Sequence, residues 1–123
     1  MKKKMIRMIE GDDSGIGNID DIFTCLLGLN ALEKDVFHII ENHPGITCEG
    51  IAKKVKLTRT PVQRAAKHIL DMGLITRRNE SLPNAGYQYH YHVRDRRELK
   101  QFLETIVEAT VMKMRILIDD FFG

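Results

Sequence analysis

Arg59, Thr60, Gln63 and Arg64 crowd four hydrogen-bonding side chains into a short window of this chain. An arginine can donate two parallel hydrogen bonds to O6 and N7 of guanine, and a glutamine can pair in the same forked way with N6 and N7 of adenine. Thr60 can meet a thymine methyl group or a phosphate. Lys67 lies further along and is placed for backbone. Residues three and four apart share a helix face, so on a helix this set would form one outward edge suited to reading bases. Lys53, Lys54 and Lys56, just upstream, suit phosphates: they would orient the chain on a duplex without reading its sequence. Thr58, Arg77 and Arg78 complete the expected phosphate set.

Such an edge needs a helix held from behind. Ile46 to Ile75, ITCEGIAKKVKLTRTPVQRAAKHILDMGLI, supplies one. Thr47 caps a first helix whose inner face is Ile51, Ala52 and Val55. Leu57 is expected to plug the turn and Thr58 to cap the second helix. Pro61 falls in that helix's first turn, where its missing N–H costs no internal bond. Val62, Ala66, Ile69 and Leu70 recur at helical spacing and face inward. Gly73 ends the helix as a left-handed residue.

Upstream, Ile19 to Gly28 reads as a short amphipathic helix, with Cys25 a small core residue. Asn30 and Glu33 form a capping-box pattern before a helix that buries Leu32, Val36, Phe37, Ile39 and Ile40 and stops before Pro44-Gly45. Met5, Ile6, Met8 and Ile9 make an apolar patch, strand or helical turn, and Glu10 to Asn18 reads as a loop. Downstream, Leu74 to Arg78 and Tyr87 to Val93 read as strands around a long tip, Asn79 to Gly86. Arg77 and Arg78 alternate faces, so at most one points to DNA, and the tip carries Glu80 but no Lys or Arg.

From Asp95 onward one long amphipathic helix is predicted. Leu99, Phe102, Leu103, Ile106, Val107, Val111, Met114, Leu117, Ile118 and Phe121 give it a stripe wider than the preceding core can cover. A second copy of the chain is the simplest cover, and twofold pairing is the commonest form. The organisation expected is an N-terminal arm over residues 1–18, a winged helix-turn-helix over 19–94 and a dimerisation helix over 95–123. The fold class is mainly α (α+β), with a two-stranded wing.

Charge distribution agrees. Lys53 to Lys100 holds 12 Lys or Arg against 4 Asp or Glu, whereas Ile19 to Ala52 holds 1 Lys against 6 acids. The net charge of +2 conceals this contrast, and a concentrated basic block is the footprint of a polyanion binder. Cys25 and Cys48 lack CxxC spacing, which fits a reducing, cytoplasmic setting. No apolar run approaches membrane-span length.

LGLNALEKDVFHII, GITCEGIAKKVKLTRTPVQRAAKHILDMGLI and the ITRRN…GYQYHYHV wing together resemble archaeal winged-helix transcriptional regulators of the MarR-like and TrmB-like groups. The likeness covers Leu27 to Val93. It implies a homodimer on double-stranded DNA, a roughly palindromic site and regulation of transcription, with repression the favoured sense. TrmB-type regulators often carry a sugar-binding domain that this chain is too short to hold, so no sugar ligand is implied. MarR-type proteins often take small aromatic ligands; no cluster here picks out such an effector.

The alternative is a winged helix that binds protein rather than DNA. His90 and His92 share a strand face, but with no convergent third and fourth ligand no metal is assigned, and no cofactor. Cys48, at a helix start, invites a redox reading, and the histidines a pH one; neither is adopted. Arg94, Arg96 and Arg97 are read as the start of the last helix. No phosphate loop, GxSxG or HExxH occurs, so no enzyme is expected.

Overall fold

The computed structural model describes residues 16–83 and 86–123. The apolar patch at Met5 to Ile9 and most of the expected glycine-rich loop lie outside them. Among the described residues, helix α1 spans Ile19–Leu27, α2 Ala31–Asn42, α3 Cys48–Val55 and α4 Arg59–Asp71. Strands β1, Ile75–Leu82, and β2, Gly86–Val93, follow, and α5 runs from Arg96 to Phe122. This is a winged helix-turn-helix with a long terminal helix.

Short polar residues set the helix starts. Asn18 accepts from the Asp21 N–H at the head of α1, where Asp20 and Asp21 also complement the helix dipole. Asn30 and Glu33 close a reciprocal capping box on α2, at 2.8 and 2.9 Å. Thr47 accepts from the Gly50 N–H on α3. Thr58 occupies the cap position of α4 in extended backbone, but its hydroxyl makes no cap bond. The cap expected there is positional only.

The turn between α3 and α4 is closed by backbone. Lys56 adopts left-handed φ 57°, and the Leu57 N–H reaches the Ala52 carbonyl at 3.1 Å. Leu57 itself is 45% exposed, so it does not plug the turn. Gly73 ends α4 at φ 85°. Its N–H donates to Leu70 and that of Leu74 to Ile69, both at 3.0 Å. This is the paired C-terminal arrangement that needs a left-handed residue.

The core gathers one face of each element. Phe23, Val36, Phe37, Ile40, Ile51, Val62, Ala66, Ile69, Leu74, Ile75 and Tyr91 are buried together. Each large member contributes about 1.5–3 kcal/mol. Phe23 and Phe37 meet edge-on at 5.0 Å, docking α1 on α2. Cys25, expected inside, is exposed; Phe23 takes the buried position on that helix instead.

The wing differs most from expectation. Pairing runs without break from Ile75↔Val93 to Leu82↔Gly86, so the polar stretch Asn79 to Leu82 is strand rather than loop. Turn-forming residue types were misleading because both faces of this ribbon are largely solvated, where polar side chains carry no burial penalty. An isolated bridge, Ile46↔Tyr91, pins the loop after α2 to the wing base. There the Gly45 N–H donates to Tyr91 O at 2.7 Å and the Tyr91 N–H to Ile46 O at 2.9 Å.

Asp95 caps helix α5, its carboxylate accepting from the Arg97 and Glu98 N–H groups. Its first half belongs to the monomer: Leu99 is buried in the core, and Phe102 and Leu103 pack against it. These three residues, expected at a dimer interface, thus also serve the monomer's own core. Beyond Ile106 the stripe is bare: Val107, Val111, Met114, Leu117 and Ile118 are exposed, and Phe121 and Phe122 are 81% and 80% exposed. With 27 residues at 1.5 Å each, α5 is about 40 Å long.

Candidate nucleic-acid interface

Val62, Ala65, Ala66 and Ile69 turn one side of α4 into the core. The opposite side carries Arg59, Thr60, Gln63 and Arg64, all exposed. Among the described residues no hydrogen bond or ion pair engages these four side chains. Two rows result. Arg59 and Gln63, one turn apart, line a cleft of about 270 Å³ beside the wing; Thr60 and Arg64, also one turn apart, form the neighbouring row. Lys67 follows on the exposed side but is tied to Asp71 at 3.2 Å, an exposed pair of small energetic weight.

The structure brings the expected lysines close to this helix in sequence and leaves them open. Lys53 and Lys54 occupy the last turn of α3, and Lys56 is its left-handed cap. All three are exposed, as is Thr58.

The wing separates its two arginines as alternation requires. Arg77 shares a face with Tyr87, Tyr89 and Tyr91, the three tyrosines that line the cleft with Arg59 and Gln63. Its guanidinium lies 4.0 Å over the Tyr89 ring. Arg78 is on the histidine face. Glu80 is held against His90, Oε2 to Nε2 at 2.7 Å, while His90 Nδ1 contacts the Gly45 carbonyl at 2.8 Å. His90 therefore fastens the wing to the loop after α2.

Tyr91 closes the floor of the cleft. Its hydroxyl accepts from the Cys48 thiol at 3.5 Å. Burial, then the contact with Cys48, pushes the phenol up to about 12, so it stays protonated at neutral pH. Arg94 is structural: it donates to the Gly73 carbonyl at 3.3 Å and reaches Glu98 at 3.4 Å. It also lies 5.2 Å from the Phe102 ring centre.

Two polar contacts escaped the sequence. Glu33 is the buried charged residue of the core, 5% exposed. Besides capping α2, it holds His68 of α4 through Oε2. His38 of α2 binds Asp20 of α1 and its own Glu41. Burial alone would lower the His38 pKa; the hydrogen bonds to Asp20 and then Glu41 outweigh it and raise the pKa above the ordinary value. Glu33–His68 and His38–Asp20 each join two helices, so neither spacing nor periodicity could signal them. A second cavity, about 390 Å³, opens between α1, α2 and α5 with mostly apolar walls including Phe23, Phe37 and Leu103, and with His38 and Lys100 among its polar members.

A partly buried helix that offers two arginines and a glutamine, preceded by lysines and flanked by a hairpin, defines a winged-helix transcriptional regulator of the DNA-binding class. The comparisons narrow the class. A model of the MarR family matches residues 27–81. The chain is 34% identical over 91 residues to uncharacterized protein MJ1082 of Methanocaldococcus jannaschii, covering 73% of this chain and 74% of that one. Its fold is similar to a possible transcriptional regulator from Methanosarcina mazei Go1, at TM-score 0.75 and 21% identity over 87% of this chain and 91% of that one. It is also similar to the ST1889 protein of Sulfolobus tokodaii, at TM-score 0.62 and 18% identity, covering 77% and 93%. The chain belongs to the MarR family. Among the described residues no helix is long and apolar enough to cross a membrane.

Proposed function

We propose that this protein is a homodimeric, sequence-specific DNA-binding repressor acting on a roughly palindromic site. The observation that carries the reading is the outer side of α4, where Arg59, Thr60, Gln63 and Arg64 stand exposed beside three open lysines. Arg59, Thr60, Gln63 and Arg64 read base edges in a major groove; Lys53, Lys54, Lys56 and Thr58 grip phosphate. Lys67 joins them by exchanging Asp71 for DNA. Of the wing arginines, Arg77 flanks the same cleft as Arg59 and belongs to the interface, whereas Arg78 reaches only backbone at its margin.

The bare stripe from Ile106 to Phe121 supports pairing with a second copy. Ile19 and Ile22 of α1 extend the same apolar surface, since they share a shallow groove with Leu103 and Val107. Twofold pairing would place two reading helices about one DNA turn, or a multiple, apart. Selection of bound fragments from a random DNA library tests the whole reading. Enrichment of an inverted repeat, with an affinity that falls steeply with salt, is the expected result. Absence of any enriched site, or binding indifferent to salt, would overturn it in favour of a protein-binding winged helix.

A further inference from the structure

We propose that Glu33 is a positioning residue for base reading: through His68 it fixes α4 against α2. This rests on the DNA-reading role of α4 and goes beyond it to a residue that touches no DNA.

A carboxylate this deep is costly unless both oxygens are satisfied. Here each oxygen has its own partner, on a different element. Oε1 accepts the Asn30 N–H at 2.9 Å, inside the capping box. Oε2 takes His68 Nδ1, from the last turn of α4. The backbone cap locks the carboxylate's own orientation, because the Glu33 N–H is simultaneously held by Asn30 at 2.8 Å. One side chain therefore references the reading helix to a rigid backbone site on α2. The rest of the α2–α4 contact is apolar, with Val36, Phe37 and Ile40 on one helix and Val62, Ala65 and Ile69 on the other. Apolar packing sets the distance between helices well and their sliding along one another poorly, being non-directional; a charge-assisted hydrogen bond has direction. Arg64 lies one turn before His68 on α4, so a slip at His68 is transmitted to the reading row.

The test is the ratio of affinities for the best duplex from the random-library selection and for a scrambled duplex of equal length, at fixed salt. His68 has a half-exposed side chain, 51%, so His68→Ala is expected to fold, which circular dichroism checks. It should lower the ratio about tenfold or more, the loss of one hydrogen bond to a charged group, while the scrambled-duplex affinity holds. His68→Asn, whose amide nitrogen falls near the position of Nδ1, should restore the ratio; a role in packing alone predicts no such rescue. Glu33→Gln keeps a capping-box residue type and should lower the ratio as His68→Ala does. An unchanged ratio in folded His68→Ala, with Arg64→Ala lowering it, overturns the positioning role and leaves the reading role standing. A wild-type ratio of one overturns both.

Discussion

Arg59 and Gln63 stand on one row of α4 and Thr60 and Arg64 on the next, so in the proposed complex they would divide the reading between two lines of base edges. Arg64→Ala should cost about 1–3 kcal/mol at the guanine it reads and relax preference at that position alone, measurable by competition with single-base variants of the selected site. Lys53→Ala should weaken binding to all duplexes alike and lower the salt slope by about one, visible in titrations at several salt concentrations. The exposed placement of these four residues was legible in the sequence because their spacing and the apolar positions between them specify a helix face. That of Cys25 was not: a small residue on an apolar helix is read inward, but its position two residues from buried Phe23 places it about 200° around the helix, on the exposed side. His38 supplies a pH dependence. Its folded pKa is raised, chiefly by Asp20 against the opposing effect of burial. The stabilisation is therefore full below the unfolded value near 6.5 and is lost as pH rises through the folded value. Thermal unfolding across that range should show wild type losing an advantage over Asp20→Asn as the pH rises, with no such convergence if the pair is idle.

At the scale of elements, helix boundaries were the most legible part, since Asn30, Thr47, Pro61 and Gly73 each act through local backbone chemistry. Gly73 is the one where the requirement is strictest. At φ 85° any side chain is strained, and Gly73→Ala should cost about 1–2 kcal/mol, read as a lowered midpoint in urea. An unchanged midpoint would mean that α4 can end without a left-handed residue. The wing was the least legible element. Asn79 and Ser81 are turn formers by type, yet they pair with Tyr89 and Tyr87. Which of the two wins depends on the partner strand, and no local pattern contains that. The Ile46–Tyr91 bridge escaped for the same reason, its two residues being distant in sequence.

For the whole molecule, the stripe on α5 was visible in the sequence, but its division was not. Leu99, Phe102 and Leu103 complete the monomer's core, and the residues beyond Ile106 stand exposed. A cut before Asp95 would therefore open the core as well as remove the proposed interface. Leu117→Glu combined with Phe121→Glu spares the core and should yield a folded monomer by sedimentation, with affinity for an inverted repeat reduced to that for a single half. A dimer that survives both changes would move the interface towards Ile19 and Ile22. The division of α5 has a mechanical consequence. One end of a rigid rod is cemented into the winged-helix core, while in the proposed dimer the far end would meet the other copy. In that dimer the rod would act as a gauge block: its seating through Phe102 and Leu103 would set the span between the two reading helices, and substitutions at those two residues should alter the tolerated spacer length between half-sites before they alter the bases preferred within each.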